Sequence, residues 1–262
     1  MKILLSNDDG YRAAGLRALQ RVLAPDHELV VSAPAGECSA TGHGLTLHDP
    51  LRVRRVEEDG VLYHGVTGLP ADAVKFGLTV LCHEAPPDLV VSGINHGANT
   101  GQNLFYSGTV AAAAEGTFAG IPAMAVSLAT GHGPVREEAL ATAARVVRRL
   151  VGLMERHPLP AEVLLNVNVP DLPLGRMRGF RVSRMGHARF HEAFAERVDP
   201  GGESYWWMDG AKNGDDTDPE HDDCQVHDGW ITLSPLRLDL SHPDWRGLLA
   251  PWRLDTLRAE EP

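Results

Sequence analysis

The sequence predicts an α/β protein: a Rossmann-like three-layer sandwich with a mostly parallel sheet and a C-terminal β-hairpin arm. Two observations predict the sandwich. Short runs of branched apolar residues alternate with amphipathic helical patterns over the first two thirds of the chain. Polar turn residues follow several of these runs, as at the ends of parallel strands. A change of character after about residue 171 predicts the arm.

The predicted elements follow one another in strand-helix order. Strands are expected over 2–6, 28–33, 88–92, 122–128 and 163–169, and helices over 15–24, 70–81, 109–119 and 137–156. Pro70 fits the first turn of its helix, where a missing N–H does no harm. This order is typical of right-handed βαβ units.

The last third of the chain has a different pattern. Residues 185–214 mix aromatic and charged side chains, which indicates an extended hairpin or arm, and 230–236 alternate like a strand. We therefore divide the chain into a catalytic core over 1–170 and an extension over 171–262. Trp206, Trp207 and Trp230 are expected to serve packing or oligomer contacts.

Composition excludes some classes of protein. The chain has 262 residues and a formal net charge of -11, which argues against binding to a nucleic-acid polymer through its phosphates. The three cysteines are odd in number and form no CxxC pair, so neither a disulfide framework nor a thiolate zinc site is expected. Neither a membrane-spanning run nor a signal peptide is recognisable, and a cytoplasmic location is the expectation.

Two adjacent carboxylates follow the first predicted strand. Asp8 and Asp9 lie at the carboxyl end of that strand, the edge where open α/β sheets bind ligands. Adjacent carboxylates repel each other, and a divalent cation would relieve that repulsion. The alternative is an Asx turn followed by a helix N-cap.

Two further loops at strand ends carry oxygen donors. The loop over 33–47 contains Ser39, although on its own it also fits a flexible surface loop. The loop over 92–99 contains Asn95 and Asn99, whose amides suit a hard cation or a phosphate. Oxygen donors with almost no thiols favour Mg²⁺ or Mn²⁺ over zinc.

A Ser-Gly-Thr turn precedes the small-residue helix. Ser107, Gly108 and Thr109 would place hydroxyls and unpaired amides at the start of that helix, where anions bind. Simple helix capping is the competing interpretation. Because a metal site and an anion site would share one sheet edge, we predict a hydrolase of phosphate esters.

These segments resemble the SurE family of stationary-phase survival proteins, which are metal-dependent nucleotidases. The similarity is carried by LLSNDDG at 4–10, SAP with a downstream serine at 32–39, SGINHGAN at 92–99, YSGTVAAAAEG at 106–116, and TD followed by GWITLSPL at 217–236. It extends from residue 1 to about 242.

The resemblance implies an activity and a set of site residues. It implies hydrolysis of nucleoside 5′- and 3′-monophosphates, and sometimes of short polyphosphate, with one Mg²⁺ or Mn²⁺ per subunit. The implied metal ligands are Asp8, Asp9, Ser39 and Asn95, of which the aspartates and Asn95 are also catalytic. Asn99, Ser107, Gly108 and Thr109 would face the phosphate. The arm would be exchanged between subunits of a homodimer, which could pair further into a homotetramer.

The sequence departs from the family pattern in two places. Glu37 and Cys38 precede Ser39 where the family commonly has an arginine or serine, and the acidic segment over 219–228 is longer than expected. The metal ligands are unaffected by either change. Both changes bear on base preference and on the rim of the pocket.

Other polar residues have simpler interpretations. His43, His96 and His187 could position substrate or act as acids, but lone loop histidines are commonly solvated. Glu115 is expected to be structural. The acidic cluster lacks the EF-hand pattern and is expected to be a solvated loop; it comprises Asp215, Asp216, Asp218, Glu220, Asp222 and Asp223.

Two other classes of protein share part of this pattern. A zinc-dependent deacetylase can also carry adjacent aspartates after its first strand, but it would need histidine ligands, and residues 1–26 contain none. A non-catalytic dinucleotide-binding protein would need a G-x-G-x-x-G turn over 6–15, and that motif is absent there.

Overall fold

The computed structural model describes residues 1–131, 133–212 and 216–254, with only the backbone for 190–192 and 210–212. The described strands are β1 Lys2–Ser6, β2 Glu28–Pro34, β3 Val53–Glu58, β4 Val61–Val66, β5 Leu89–His96, β6 Ala123–Ala129, β7 Val163–Pro170, β8 Phe180–Val182, β9 Phe190–Val198, β10 Ser204–Lys212 and β11 Ile231–Arg237. The helices are α1 Ala14–Leu23, α2 Pro70–Phe76, α3 Gly108–Phe118, α4 Glu137–Arg156, α5 Asp222–His227 and α6 Trp245–Leu249.

The predicted fold class is confirmed. Nine of the described strands form one sheet in the order β3-β4-β2-β1-β5-β6-β7-β11-β8. The six strands from β4 to β7 in this order are parallel neighbours, and β1 lies between β2 and β5. The carboxyl ends of these strands therefore meet at one edge, and the polar loops are brought together there.

The two faces of the sheet carry separate apolar layers. Ile3 and Leu5 of β1 belong to a core that includes α1 and α4, whereas Leu4 points to the layer formed with α2 and α3. Alternation along a buried strand thus supplies both layers. One close contact is allowed by a glycine, because a Cβ at Gly15 of α1 would lie 2.2 Å from the Ile94 carbonyl oxygen.

Most predicted boundaries agree with the structure to within one or two residues. The helix predicted over 137–156 is α4, and its buried face includes Leu140, Val147, Val151 and Met154. The helix predicted over 70–81 is α2 followed by one π-helical turn, Gly77–Leu81. The broadened turn keeps the segment helical.

The hairpin formed by β3 and β4 has no counterpart in the sequence prediction. Strand β3 lies at the edge of the sheet, and β4 is its one partner among the described strands. Its sequence, VRRVEE, is largely charged, as expected where one side faces solvent. Such a strand has no continuous apolar run, so the pattern that reveals buried strands is missing.

The C-terminal part contributes both to the central sheet and to a separate hairpin. Strand β11 pairs antiparallel with β7, and the short β8 pairs with β11, so the sheet continues beyond residue 170. Strands β9 and β10 form a two-stranded antiparallel sheet of their own, as the arm prediction requires. The Arg181 guanidinium lies over the Trp230 ring, with its central carbon 5.3 Å from the ring centre.

The acidic segment is more ordered than the sequence predicts, and the expectation of a solvated loop is wrong for part of it. Asp222 is fully buried at the start of α5. Its carboxylate accepts hydrogen bonds from the amides of Gly186, at 3.0 Å, and Gly101, at 3.2 Å. Asp216 pairs with His221 at 2.7 Å. Asp215 lies outside the described residues.

The helices of the described ranges are all too short or too polar to cross a membrane.

Candidate active site

Asp8 and Asp9 lie in the turn that follows β1. The Asp8 side chain is buried and that of Asp9 is partly buried. Asn7 holds the turn in shape: its side-chain amide donates to the Gly10 carbonyl at 3.0 Å, and its side-chain oxygen accepts from the Gly10 amide at 3.2 Å. The Asx turn weighed as an alternative is thus present, but it is made by Asn7 and leaves both aspartates for other contacts.

The electrostatics of this turn favour a bound cation. Burial raises the pKa of Asp8, although a hydrogen bond from Thr109 acts in the opposite direction. Burial, the Asp8 carboxylate and the Glu37 carboxylate raise the pKa of Asp9 to about 7. Two ionised carboxylates are therefore unfavourable here without positive charge nearby.

The first turn of α3 packs directly against Asp8. The Thr109 hydroxyl donates a hydrogen bond to Asp8 Oδ1. Ser107 caps the helix, since its Oγ accepts from the Val110 amide at 3.1 Å. Gly108 leaves room for the carboxylate, because a Cβ at that position would lie 2.7 Å from Asp8 Cβ and 3.0 Å from Asp8 Oδ2. The Ser-Gly-Thr turn and the aspartate pair thus form one cluster.

The loop after β2 lies beside the same turn. The Cys38 amide donates to the Asp8 carbonyl at 2.8 Å, which attaches the loop to the end of β1. Ser39 is exposed, and its hydroxyl donates to Glu37 Oε1 at 2.7 Å. In the sequence, Glu37 is only a departure from the family pattern. In the structure it places a third carboxylate beside Asp8 and Asp9.

Three side chains fix the far end of this loop to the helices below it. Glu115 of α3 is buried and contacts His43 Nε2 through Oε1 and Lys75 Nζ through Oε2, both at 2.7 Å. The His43 ring also stacks on Phe118. Burial raises the pKa of Glu115, but the hydrogen bonds from His43 and Lys75 outweigh that effect and leave the pKa below its usual value.

Asn95 lies at the end of β5, next to β1 in the sheet. Its side-chain amide donates to the Gly97 carbonyl at 2.9 Å, so the side-chain oxygen is oriented away from that contact. The register between β1 and β5 pairs Ser6 with Ser92, which brings the two following loops to the same edge. His96 is exposed in this loop, and His187 is exposed in the C-terminal part.

Asn99 is buried and held by polar residues of the neighbouring strands. Its side-chain amide donates to Ser127 Oγ at 2.9 Å, and its backbone amide donates to Asn168 Oδ1 at 2.8 Å. The Asn99 carbonyl accepts from the side chains of Asn166, at 2.9 Å, and Asn168, at 3.0 Å.

Ser127, Asn166 and Asn168 were missed by sequence reasoning. They are fully buried within β6 and β7. The signal that could have identified them was the presence of polar residues inside otherwise apolar runs, AVSLA and VLLNVNV. A buried polar side chain needs a partner, and here the partner is the loop that carries Asn99.

The predicted donors are all oxygen atoms. Carboxylates from Asp8 and Asp9, a hydroxyl from Ser39 and an amide oxygen from Asn95 suit a hard divalent cation. Across residues 1–131, 133–212 and 216–254, no three His, Cys, Asp or Glu side chains cluster to hold a metal ion.

The chain is similar to known proteins over nearly its whole length. The family model described as Survival protein SurE matches residues 3–192. A protein named 5′-nucleotidase SurE from Gloeobacter violaceus is 46% identical over 253 residues, covering 95% of this chain and 94% of that protein. Another of the same name, from Syntrophobacter fumaroxidans, is 42% identical and covers 97% of this chain and 100% of that protein.

A solved structure has the same fold. The crystal structure of the SurE protein from Aquifex aeolicus superposes with a TM-score of 0.83 at 34% sequence identity, covering 96% of this chain and 99% of that one. With a family match over most of the sequence, relatives above 40% identity along nearly the whole length and a shared fold, the chain belongs to the SurE family of survival proteins.

Proposed function

We propose that this protein is a metal-dependent phosphomonoesterase that hydrolyses nucleoside 5′-monophosphates to nucleoside and phosphate. The observation that carries the proposal is the contact between the Asp8 carboxylate and the first turn of α3. A carboxylate pair attracts a cation, whereas the start of a helix attracts an anion. Side by side they suit a phosphate bound together with a metal. The names of the relatives supply the nucleotide as the substrate class.

One Mg²⁺ or Mn²⁺ per subunit would be held by Asp8, Asp9, Ser39 and Asn95. The raised pKa values of both aspartates support this, because nearby positive charge would offset their burial and mutual repulsion. Ser39 can donate its proton to Glu37 and still offer an oxygen lone pair. When bound, such a cation would polarise a phosphoryl oxygen and lower the pKa of a coordinated water.

The phosphate would be bound by Asn99, Ser107, Gly108 and Thr109. The start of α3 carries a partial positive charge that would stabilise negative charge on the phosphoryl oxygens. The Val110 amide already donates to Ser107 Oγ, so the Ser107 hydroxyl proton and the Gly108 amide are the donors proposed for the phosphate. Asn99 is held in place by β6 and β7, so little ordering would be needed on binding. We infer direct attack by water, because Asp8 is already engaged by Thr109 and packed against Gly108.

The same site could accept two further substrates of the same chemistry. Nucleoside 3′-monophosphates and short polyphosphate both present a terminal phosphoryl group to a metal and a helix start. We include both in the proposal on the family resemblance.

We also propose that the protein forms a homodimer, or a homotetramer, through the β9-β10 hairpin. The register places Val198, Phe194, Trp206 and Met208 on one face of this hairpin. All four side chains are more than half exposed. A two-stranded sheet with an apolar face is not stable alone, and a neighbouring subunit would cover that face.

Phosphate release from a nucleotide panel tests the proposed activity. The protein is stripped of metal with a chelator and assayed with 5′- and 3′-monophosphates and tripolyphosphate after addition of Mg²⁺, Mn²⁺ or Zn²⁺. Release from a 5′-monophosphate that requires Mg²⁺ or Mn²⁺ is the expected result. If no nucleoside monophosphate is hydrolysed with any of these metals, the proposal is wrong.

A further inference from the structure

A cavity of about 630 Å³ opens at the same edge of the sheet as the aspartate pair. It is lined from the loops that follow β5, β6 and β7 and from α5. Ala98, Thr130, Asp171, Asp223 and His227 are among the lining residues. Its volume is in the range of small-molecule sites.

The cavity adjoins the loop that carries two predicted site residues. Ala98 lies between Asn95 and Asn99 in the chain. The sheet order β1-β5-β6-β7 and a strand spacing of about 4.8 Å place the ends of β6 and β7 roughly 10 and 14 Å from the end of β1. A molecule whose phosphate lies near Asp8 and the start of α3 could therefore extend along the sheet edge into this cavity.

The lining combines an apolar wall with hydrogen-bond acceptors. Pro170, Leu172 and Val226 supply apolar surface, whereas Asp171 and Asp223 supply carboxylates. Neither lysine nor arginine occurs among the described residues that line the cavity. Such a lining suits an uncharged group with a flat face and several N–H or O–H donors, and it disfavours a phosphate.

Both carboxylates are held in position by partners outside the cavity. Arg136 pairs with Asp171 at 2.6 Å. The Thr100 hydroxyl donates to Asp223 Oδ1 at 2.9 Å, so the residue that follows Asn99 orients a carboxylate of α5. The Thr130 hydroxyl oxygen is buried without a hydrogen-bond partner in the described structure. Buried hydroxyls are rarely left unpaired, and a rotation of the Thr130 side chain about χ1 would direct this hydroxyl to a ligand in the cavity.

From this arrangement we propose that the cavity binds the nucleoside part of the substrate. The apolar wall would contact the base or the ribose ring, and Asp171, Asp223 and Thr130 would accept or donate hydrogen bonds to its polar groups. This inference rests on the proposed phosphomonoesterase activity and adds the specificity-determining residues. On this basis α5, in the acidic segment that departs from the family pattern, contributes to substrate choice.

The test compares a nucleotide with a phosphate ester that has no nucleoside. Ala98→Leu would reduce the cavity volume, and Thr130→Ala would remove the unpaired hydroxyl. Adenosine 5′-monophosphate and 4-nitrophenyl phosphate are assayed with each variant. We expect the ratio of kcat/KM for the nucleotide to that for the small ester to fall about tenfold or more in Ala98→Leu, mainly through KM.

A matched control for Ala98→Leu lies away from the cavity. Ala85→Leu adds the same bulk at an exposed position before β5, at the opposite edge of the sheet. Its ratio should equal that of the parent. A ratio that also stays at the parental value in both Ala98→Leu and Thr130→Ala overturns the inference, as does an equal loss on both substrates.

A binding measurement separates this inference from the proposed activity. Adenosine, guanosine, cytidine and uridine are titrated into the whole protein by calorimetry, without any need for turnover. Binding of at least one nucleoside that weakens in Ala98→Leu supports the cavity as the site even if no phosphate is released. If the parent hydrolyses nucleotides but binds no nucleoside and keeps its substrate ratio in the variants, the activity proposal stands and the cavity assignment is wrong.

Discussion

Gly108 at the start of α3 leaves the space that the Asp8 carboxylate occupies. A Cβ at position 108 would lie 2.7 Å from Asp8 Cβ, closer than real Cβ contacts come. The glycine thus brings the amides of a helix start and a buried carboxylate into direct contact. This relationship joins the two halves of the proposed site, one for a cation and one for an anion.

Gly108→Ala should lower activity strongly and leave the fold intact. The added methyl group would displace Asp8 or the first turn of α3 by a fraction of an ångström, and such misplacement of reacting groups can reduce kcat/KM by roughly 100-fold. Phosphate release and circular dichroism measure the two effects. Gly175→Ala is the control, because a Cβ there meets no atom within 4 Å. Full activity in Gly108→Ala would show that the contact has no part in catalysis.

Asp8→Asn should abolish metal-dependent turnover without unfolding the protein. The amide keeps an oxygen that can accept the Thr109 hydrogen bond, while the charge that burial disfavours is removed. Loss of a metal ligand is expected to reduce activity by about 10–100-fold or more, and the melting temperature without metal should stay the same or rise. Asp26→Asn, at the surface beside Arg148, controls for the loss of one carboxylate. Activity within about tenfold of the parent at saturating Mn²⁺ would contradict the assignment.

Glu115→Gln should destabilise the protein at neutral pH by about 2 kcal/mol, since charge-assisted hydrogen bonds to His43 and Lys75 are lost. The pKa of Glu115 is lowered in the folded state. Its contribution is therefore fully present above the unfolded pKa of about 4.3 and is lost as pH falls through the folded value.

Urea unfolding of parent and variant between pH 7 and pH 3 measures this dependence. The difference in unfolding free energy should be constant down to about pH 5 and then shrink. Glu137→Gln, whose carboxylate is largely exposed beside Arg21, should show little change. Equal stability of Glu115→Gln and the parent at pH 7 would mean that Glu115 does not anchor the loop.

Trp206→Ser combined with Met208→Ser should weaken subunit association. These side chains share the apolar face of the β9-β10 hairpin with Phe194. Trp207→Ser is the matched control, because Trp207 is exposed to a similar extent but points to the opposite face. Light scattering over micromolar concentrations distinguishes the outcomes. A parent that is monomeric, or a double variant that associates as well as the parent, would exclude this face as the interface.

Local patterns were sufficient for most of the fold. The apolar run of β1 predicts a buried strand, and the single apolar face of α4 predicts a helix. Both can be recognised because burial repeats along the chain with the period of the element. The polar residues that follow the buried strands predict the turns. Strand β3 was missed since an edge strand buries too little to show that period. Helix α5 was missed because a run of acidic residues normally indicates a solvated loop. In the structure Asp222 is buried, and its carboxylate accepts hydrogen bonds from the amides of residues 101 and 186.

The sequence by itself determined that Asp8, Asp9, Ser39, Asn95 and the Ser-Gly-Thr turn follow strand ends or begin a helix, because turn chemistry and strand runs are local properties. Only the tertiary structure decided that Gly108 packs against Asp8, that Asn168 holds Asn99, and that Glu37 adds charge beside the pair. Such contacts join residues far apart in the chain; the Thr109 to Asp8 hydrogen bond beside the Gly108 contact spans 101 positions. The order of strands in the sheet brings such residues together, and that order depends on how all the layers pack at once.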